Sequence, residues 1–319
     1  MVFTGGTIAM RIDPILGGAV PALDAKGILE RTRGLDEIAD IDIIDWGRVP
    51  ATHITFAQII ELASILQEAL SRPDIAGAVL VQGTDNIEET SYALDLLVDA
   101  AKPVVIVGAM RNADEDGYEG PVNIRDAIRC AVSPNLLGQG VLVVMAGEVH
   151  AADDVVKVSP SAYAAFQSPN FGPLGLIDNG RVAIQRSRRV VRHIRTTHAV
   201  EPIPLIRTYL GIDGTFVRLA QSNGARGFVI EGAGTGNTPQ DLLAACADAM
   251  TAGLPVVMTT RCLSGSARPA YAFPGGSVDW NKAGAIFAEY LGGLKARIAL
   301  SLGLGAGMNR DSLMELFHT

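Results

Sequence analysis

Two threonines flanking a pair of glycines stand close to the start of the sequence. Residues Thr4–Ala9 read Thr-Gly-Gly-Thr-Ile-Ala, at a point where an opening strand should end. Glycine allows a tight turn and a close approach of backbone to ligand, and open α/β folds bind ligands at the carboxyl edge of the sheet. Thr7 therefore places a hydroxyl at a candidate ligand site. An ordinary glycine turn explains the same residues, whereas a P-loop is excluded because no Gly-Lys-Ser/Thr follows.

A second stretch pairs a hydroxyl with a carboxylate. Gln82–Thr90 read Gln-Gly-Thr-Asp-Asn-Ile-Glu-Glu-Thr, between a predicted strand and a predicted helix. Thr84 could orient a water or a nucleophile, while Asp85 binds a substrate ammonium. Asp85 with Glu88 three residues later also resembles a helix N-cap, which would explain the carboxylate without catalysis. That alternative does not explain Thr84.

A third stretch, Asp153–Lys157, supplies an amine after another predicted strand. A lysine acts as a general base only where burial or neighbouring charge favours its neutral form. A solvated surface lysine is the commoner role, and both interpretations stay open at this point. His150, Asp153 and Asp154 could be considered as metal ligands, but no second cluster supports them, and we expect no metal.

The elements that position these residues alternate between short β-rich runs and longer amphipathic runs. This order predicts repeated βαβ units on a mainly parallel sheet. Thr55 and Gln58 form a capping box at the start of one helix. The predicted strand and helix pairs are Ile41–Trp46 with Phe56–Leu70, Gly77–Gln82 with Ile87–Ala101, and Pro103–Gly108 with Val122–Val132, followed by a strand at Gly138–Met145.

The alternation stops between about 180 and 204 and then resumes. We therefore predict an N-terminal catalytic domain over 1–185, a linker over 186–204 that contains the basic run Arg186–Arg189, and a smaller α/β domain over 205–319. The predicted strands of this domain are Leu205–Tyr209, Gly227–Glu231 and Pro255–Thr260, and its predicted helices are Phe216–Ser222, Thr238–Ala252, Ala283–Leu291 and Asp311–Phe317.

Composition narrows the class of partner. The chain has 319 residues and a net charge of −8, which gives no basic footprint for nucleic acid or an anionic membrane. The three cysteines are widely spaced and suggest neither a disulfide framework nor a zinc site. Met1–Gly6 lack the basic and apolar regions of a signal peptide. We expect a cytoplasmic protein that acts on a small molecule.

Taken together, these stretches resemble the bacterial-type L-asparaginase/glutaminase family along nearly the whole chain. Several further segments, each in the family's order, are similar to its motifs. They are Gly108–Arg111 (Gly-Ala-Met-Arg), Gly120–Asn123 (Gly-Pro-Val-Asn), Asn170–Gly175 (Asn-Phe-Gly-Pro-Leu-Gly) and the glycine-rich Gly232–Asn237. The last of these lacks the GxGxxG spacing of a dinucleotide site. The opening strand is unusually short for this family, which is consistent with a natural start upstream of Met1.

The resemblance implies an α/β fold with a large N-terminal and a smaller C-terminal domain, and a homo-oligomer, dimer or tetramer, with active sites at a subunit interface. It implies no cofactor and no metal. Its catalytic residues correspond to Thr7 as the nucleophile and to Thr84, Asp85 and Lys157 as the group that activates it. Substrate binding would involve Gly83, Ala109 and Asn237 at further matching positions, and Arg48 and Val49 at the position of a family residue that binds the substrate carboxylate.

Three departures from the family pattern affect the substrate pocket. The lid tyrosine is absent, since its region reads Gly17–Val20, and Arg48 and Val49 stand where a carboxylate-binding serine is expected. The stretch Ser264–Tyr271 lacks the glutamate that binds the substrate amine in many periplasmic members. If Arg48 or Arg268 points inward, the pocket becomes more cationic and favours a substrate with an extra carboxylate or without the amine.

The sequence therefore predicts an amidohydrolase that cleaves L-asparagine or a relative. The nearest alternative is a hydrolase of a different small amide or carbamoyl compound. A non-catalytic small-ligand sensor on the same fold is a third hypothesis, although a pure binder needs no paired hydroxyls with a lysine. An amidotransferase component acting on tRNA would need an RNA-binding module, and none is visible in this acidic chain.

Overall fold

The computed structural model describes residues 1–188 and 191–318. Its contacts divide the chain into two compact units, Met1–His193 and Ile194–Thr319. The predicted linker over 186–204 remains a prediction. Arg189 and Val190 within it, and Thr319 at the end of the predicted second domain, lie outside the described residues.

Strands and helices alternate in both units. In the first unit the strands are β1 (Val2–Phe3), β2 (Met10–Asp13), β3 (Gly18–Pro21), β4 (Ile44–Asp45), β5 (Ala78–Val81), β6 (Val104–Val107), β7 (Val141–Met145), β8 (Glu148–Ala151), β9 (Val156–Lys157), β10 (Phe166–Gln167), β11 (Gly175–Asp178) and β12 (Arg181–Ile184). Its helices are α1 (Ala25–Leu29), α2 (Phe56–Ser71), α3 (Ile87–Leu97) and α4 (Gly120–Ala131).

The second unit follows the same pattern. Its strands are β13 (Leu205–Arg207), β14 (Phe228–Gly232), β15 (Val256–Thr260) and β16 (Ile286–Phe287). Its helices are α5 (Thr215–Ser222), α6 (Gln240–Thr251), α7 (Ser277–Ala283), α8 (Gly293–Gly305) and α9 (Arg310–Phe317).

The first unit contains an eight-stranded sheet in the order β12-β11-β8-β7-β6-β5-β1-β4. The strands β4, β1, β5, β6 and β7, neighbours in that order, run parallel. The strands β8, β11 and β12 continue the sheet in antiparallel pairs. Strands β5, β6 and β7 are buried along their whole length. Continuous apolar strands of this kind need cover on both faces, as in doubly wound folds. The predicted fold class is confirmed.

Helix α2 begins as the capping box predicts. Thr55 accepts from the Gln58 amide, and the Gln58 side chain accepts from the Thr55 amide at 3.0 Å. Its buried residues recur at helical spacing and form one apolar stripe, and the helix packs against α3 and β5. Most observed strands are shorter than the predicted ones, because the flanking residues turn away to form loops, whereas β14 keeps the predicted length and is shifted by one residue.

The second unit has a four-stranded parallel sheet in the order β13-β14-β15-β16. The predicted helix Ala283–Leu291 is wrong. Gly284 adopts φ 100° and ends α7, and Ile286 then pairs with Val257 as part of β16. Glycine adopts positive φ at little cost, so it stops a helix there.

Helix α8 was not predicted at all. Nearly every residue from Gly293 to Gly303 is buried, including Ala296, Leu300 and Leu302. A helix that is buried on nearly all sides lacks the amphipathic period by which sequence patterns reveal helices. Among the described residues, no helix combines the length and apolar character needed to cross a membrane.

Candidate active site

The loops that carry three predicted site residues leave neighbouring strands at one edge of the large sheet. Strand β1 pairs in parallel with β5, and β5 pairs in parallel with β6. Thr7 follows β1, Thr84 follows β5, and Ala109 follows β6. Since parallel strands end at the same edge, these loops emerge side by side at the edge where open α/β sheets bind ligands.

Glycines hold the first two loops in backbone contact. Gly6 has φ 97°, and a Cβ placed on it would lie 2.2 Å from the Gly83 nitrogen. No larger residue fits between these backbones without moving one of them. Thr7 and Thr84 each follow one of the two touching glycines directly, so both threonines lie in loops that meet.

Lys157 joins the Thr84 loop from a different direction. Its Nζ donates to Thr84 Oγ1 at 2.9 Å and to Asp85 Oδ1 at 2.7 Å. The Lys157 side chain is 14% exposed and Asp85 is 64% exposed, while Thr84 is buried at 5%. The Lys157 backbone amide donates to Glu88 Oε2 at 2.9 Å, which fixes β9 beside α3. The structure thus brings Thr84, Asp85 and Lys157 together, with one face open.

Asp85 does not cap the helix that follows it. Thr84–Asn86 form a single 3-10 turn, and the N-cap position of α3 is occupied by Asn86. The helix-cap interpretation of Asp85 is therefore wrong. The Asp85 carboxylate is directed to Lys157.

Ala109 and Gly83 are buried at the edge of the large sheet where the Thr7 and Thr84 loops lie. Side chains form hydrogen bonds to the peptide groups on both sides of Ala109. Asn123 donates to the Gly108 carbonyl at 3.0 Å, and the Glu119 carboxylate accepts the Met110 amide. These contacts fix the Ala109 peptide on both sides.

Arg48 and Val49 lie where β4 ends. The Val49 amide donates to the Thr4 carbonyl at 2.8 Å, so its backbone lies next to the Thr7 loop. The Arg48 guanidinium lies 4.0 Å from the Asp45 carboxylate, and its side chain is 47% exposed.

Asn237 belongs to the second unit and closes its own glycine-rich turn. Its amide donates to the Ala233 carbonyl at 2.8 Å, and its Oδ1 accepts the Ser277 amide at 3.1 Å. Arg268 is exposed in the same unit, and its amide donates to the Thr235 carbonyl at 3.0 Å.

The side chains considered as metal ligands have other partners. Asp154 accepts from Asn170 and Phe171, Asp153 pairs with Arg188, and His150 contacts Ser168 at 3.1 Å. Within residues 1–188 and 191–318, no group of three or more His, Cys, Asp or Glu side chains is placed to hold a metal ion.

A hairpin and a loop border the Thr7 turn, and sequence reasoning missed their contacts. The hairpin of β2 and β3 is held by Asp114, which accepts from Arg11 and from the Ile12 amide at 2.9 Å each. The Ile12 amide and then Arg11 lower the pKa of Asp114. Tyr118, on the same loop, donates to the Ile8 carbonyl at 2.8 Å. These pairs lie more than 100 positions apart in sequence, so no local pattern signals them.

The arrangement fits nucleophilic acyl transfer. It offers two threonine hydroxyls, an amine bonded to one of them, an exposed carboxylate and backbone amides at a turn. An activated hydroxyl and preorganised donors for an oxyanion are what amide cleavage requires.

The comparisons with known proteins agree along the whole chain. Residues 1–190 match the family described as "Asparaginase, N-terminal", and residues 203–317 match "Glutaminase/Asparaginase C-terminal domain". The chain is 33% identical to the L-asparaginase of Bacillus licheniformis, over 95% of this chain and 94% of that protein. It is 33% identical to a "Probable L-asparaginase" of Deinococcus radiodurans, over 99% and 96%.

A solved structure is similar as well. The "Probable Cytoplasmic L-asparaginase from Campylobacter jejuni" superimposes with a TM-score of 0.88 and 26% identity, over 99% of this chain and 97% of that one.

Proposed function

The chain belongs to the asparaginase family and is an amidohydrolase of the asparaginase type, and we propose that Thr7 is its nucleophile. Thr84, Lys157 and Asp85 form the activating group. The observation that carries this proposal is the pair of bonds from Lys157 Nζ to Thr84 Oγ1 and Asp85 Oδ1. A lysine that was only a solvated surface charge would not bond the hydroxyl of a threonine residue that is 5% exposed.

The steps follow from the groups present. The Thr7 hydroxyl oxygen attacks the amide carbonyl and loses its proton to the Thr84 and Lys157 group, and backbone amides near Gly83 and Thr84 stabilise the oxyanion. The C–N bond breaks, the nitrogen takes a proton and leaves as ammonia, and an ester to Thr7 remains. Water then attacks the ester with the same base, giving the acid and the free hydroxyl.

We propose L-asparagine or a close relative as the substrate. Asp85 is exposed beside Lys157, and its carboxylate can form an ion pair with a substrate ammonium. The Ala109 carbonyl can accept a hydrogen bond from the leaving amide nitrogen. Arg48 lies beside Asp45, which favours a surface role for it over a cationic pocket. Val49, Gly83 and Asn237 remain proposed substrate-binding residues.

The assembly and the compartment are part of the proposal. We expect a homo-oligomer, a dimer or a tetramer, and a cytoplasmic location. The location is supported by the name of the Campylobacter jejuni protein.

The experiment is a screen of ammonia release from L-asparagine, L-glutamine, their D-forms and succinamate. Lys157→Met should lower turnover of the best substrate by about a thousandfold, since a positioned base contributes 10²–10⁴-fold. Lys102→Met is the matched control, because Lys102 donates to the Arg72 carbonyl and lies away from the Thr84 loop. If the wild type releases no ammonia from any of these compounds, the sensor hypothesis is favoured. If Lys157→Met releases ammonia at the normal rate, the role of Lys157 as the base is rejected.

The same screen decides between asparagine and an altered substrate. A preference for asparagine over succinamate of about a hundredfold, or about 2.7 kcal/mol, would reject the altered-pocket alternative. A preference for succinamate would support it.

A further inference from the structure

Tyr118 connects the loop after β6 to the turn that carries Thr7. Its hydroxyl donates to the Ile8 carbonyl at 2.8 Å across 110 positions of sequence. Ile8 is fully buried, and Tyr118 is partly buried. The bond therefore reaches the backbone immediately after the proposed nucleophile.

The Thr7–Ala9 turn depends on bonds from outside. A single 3-10 turn has poor hydrogen-bond geometry and little stability of its own. The Thr7 carbonyl accepts the amide of the residue after the turn, and the Ala9 carbonyl accepts two amides from the segment after β3, at 3.0 and 2.9 Å. The Ile8 carbonyl accepts the Tyr118 hydroxyl. Two carbonyls of the turn are thus held by backbone, and the third is held by a side chain.

We propose that Tyr118 is a positioning residue for Thr7, whose bond to the Ile8 carbonyl fixes the turn and so directs the Thr7 hydroxyl. This rests on the proposed role of Thr7 as nucleophile. A misplacement of about 1 Å can cost a reaction about a hundredfold in rate. One bond to the turn should therefore affect kcat far more than it affects folding.

Two features support the hydrogen bond from Tyr118 to the Ile8 carbonyl. Gly120 leaves room for its ring, since a Cβ on Gly120 would lie 2.4 Å from Tyr118 Cζ. A tyrosine hydroxyl is a donor at neutral pH in any case, and burial raises the pKa of Tyr118 to about 12, so it remains a donor in alkaline assays as well.

The test is Tyr118→Phe, with Tyr163→Phe as the matched control. Tyr163 donates to the carbonyl of Gly117, in the Tyr118 loop, at 3.0 Å, so each change removes one bond to a backbone carbonyl. We expect Tyr118→Phe to lower kcat about tenfold, a moderate share of the hundredfold scale for misplacement. Its KM and the shape of its pH profile should stay at the wild-type values, and its melting temperature should fall by only a few degrees, the effect of one lost buried hydrogen bond. Tyr163→Phe should leave kcat unchanged.

The other outcomes overturn the proposal. Equal losses of kcat in both variants would indicate an effect of general loop packing. A rise in the KM of Tyr118→Phe alone would indicate that Tyr118 contacts the substrate. An unchanged kcat in Tyr118→Phe would show that Tyr118 does not position Thr7. Gly120→Ala gives a second test, because its Cβ displaces the Tyr118 ring and should lower kcat in the same way.

Thr7→Ala separates this proposal from the proposed function. An active Thr7→Ala enzyme would reject the nucleophile and the Tyr118 role with it. An inactive Thr7→Ala enzyme beside a normal Tyr118→Phe enzyme would reject the Tyr118 role alone.

Discussion

Two clusters of the first unit each pair one cation with aspartate, and they differ in how completely they are enclosed. Arg188 is 5% exposed and Asp95 is 2% exposed, and Arg188 bonds both Asp95 oxygens at 2.8 Å. Lys157 is 14% exposed and Asp85 is 64% exposed. In the first cluster both Arg188 and Asp95 are buried. In the second cluster the Asp85 carboxylate is exposed to solvent.

Asp95 and Arg188 make further hydrogen bonds inside the fold. Asp95 also accepts the Val141 amide at 2.7 Å, and Arg188 also donates to Asp153 and to the Gln139 carbonyl. Burial opposes the charge of Arg188, but Asp95 and Asp153 raise its pKa above the usual value. A lysine or arginine paired with aspartate therefore stabilises the fold where both side chains are buried. The same kind of pair can bind a ligand where the carboxylate is exposed to solvent.

Arg188→Met should break the closed cluster with the largest effect on stability. Removing one partner of a buried ion pair leaves an uncompensated charge, which costs about 3–5 kcal/mol. Denaturant unfolding measures this loss, and ammonia release per folded molecule should stay normal. Arg72→Met is the control, because Arg72 pairs with Asp42 and Asp74 at the surface and surface pairs contribute little. An equal loss in both variants would contradict the distinction.

Asp85→Asn and Asp95→Asn make the same change in each cluster, so their effects on activity and on stability can be compared directly. Asp85→Asn should lower kcat/KM about a hundredfold, or about 2.7 kcal/mol, at an unchanged melting temperature. Asp95→Asn should cost about 3 kcal/mol of stability, the lower end of the range for a broken buried ion pair, because Asp153 still pairs with Arg188, and it should leave kcat/KM normal. Reversed effects would mean that the roles of the clusters are exchanged.

Periodicity in the sequence predicts the parallel core well. Apolar runs at β5, β6 and β7 and the capping box at Thr55 carry enough local information, because burial on a strand or a helix face imposes a fixed spacing. The same reasoning misreads Ala283–Leu291, where Gly284 ends one element and Ile286 pairs with a strand.

The site was predicted through motifs and not through geometry. The resemblance to a family marks Thr84 and Lys157, 73 positions apart, as members of one group, and no local pattern could do so. Tyr118 was missed because its partner is a backbone carbonyl, which leaves no signature in side-chain types. Contacts of this kind are set by tertiary structure alone.

Locating the covalent intermediate shows whether Thr7 is the nucleophile and whether the Thr84, Asp85 and Lys157 cluster activates it. The wild-type enzyme would be mixed with its best amide substrate, quenched in acid during the first turnovers and digested for peptide mass spectrometry. If Thr7 is the nucleophile, the acyl group of the substrate will be found on the peptide that contains Thr7. The same group on Thr84, the hydroxyl that Lys157 bonds in the structure, would contradict it.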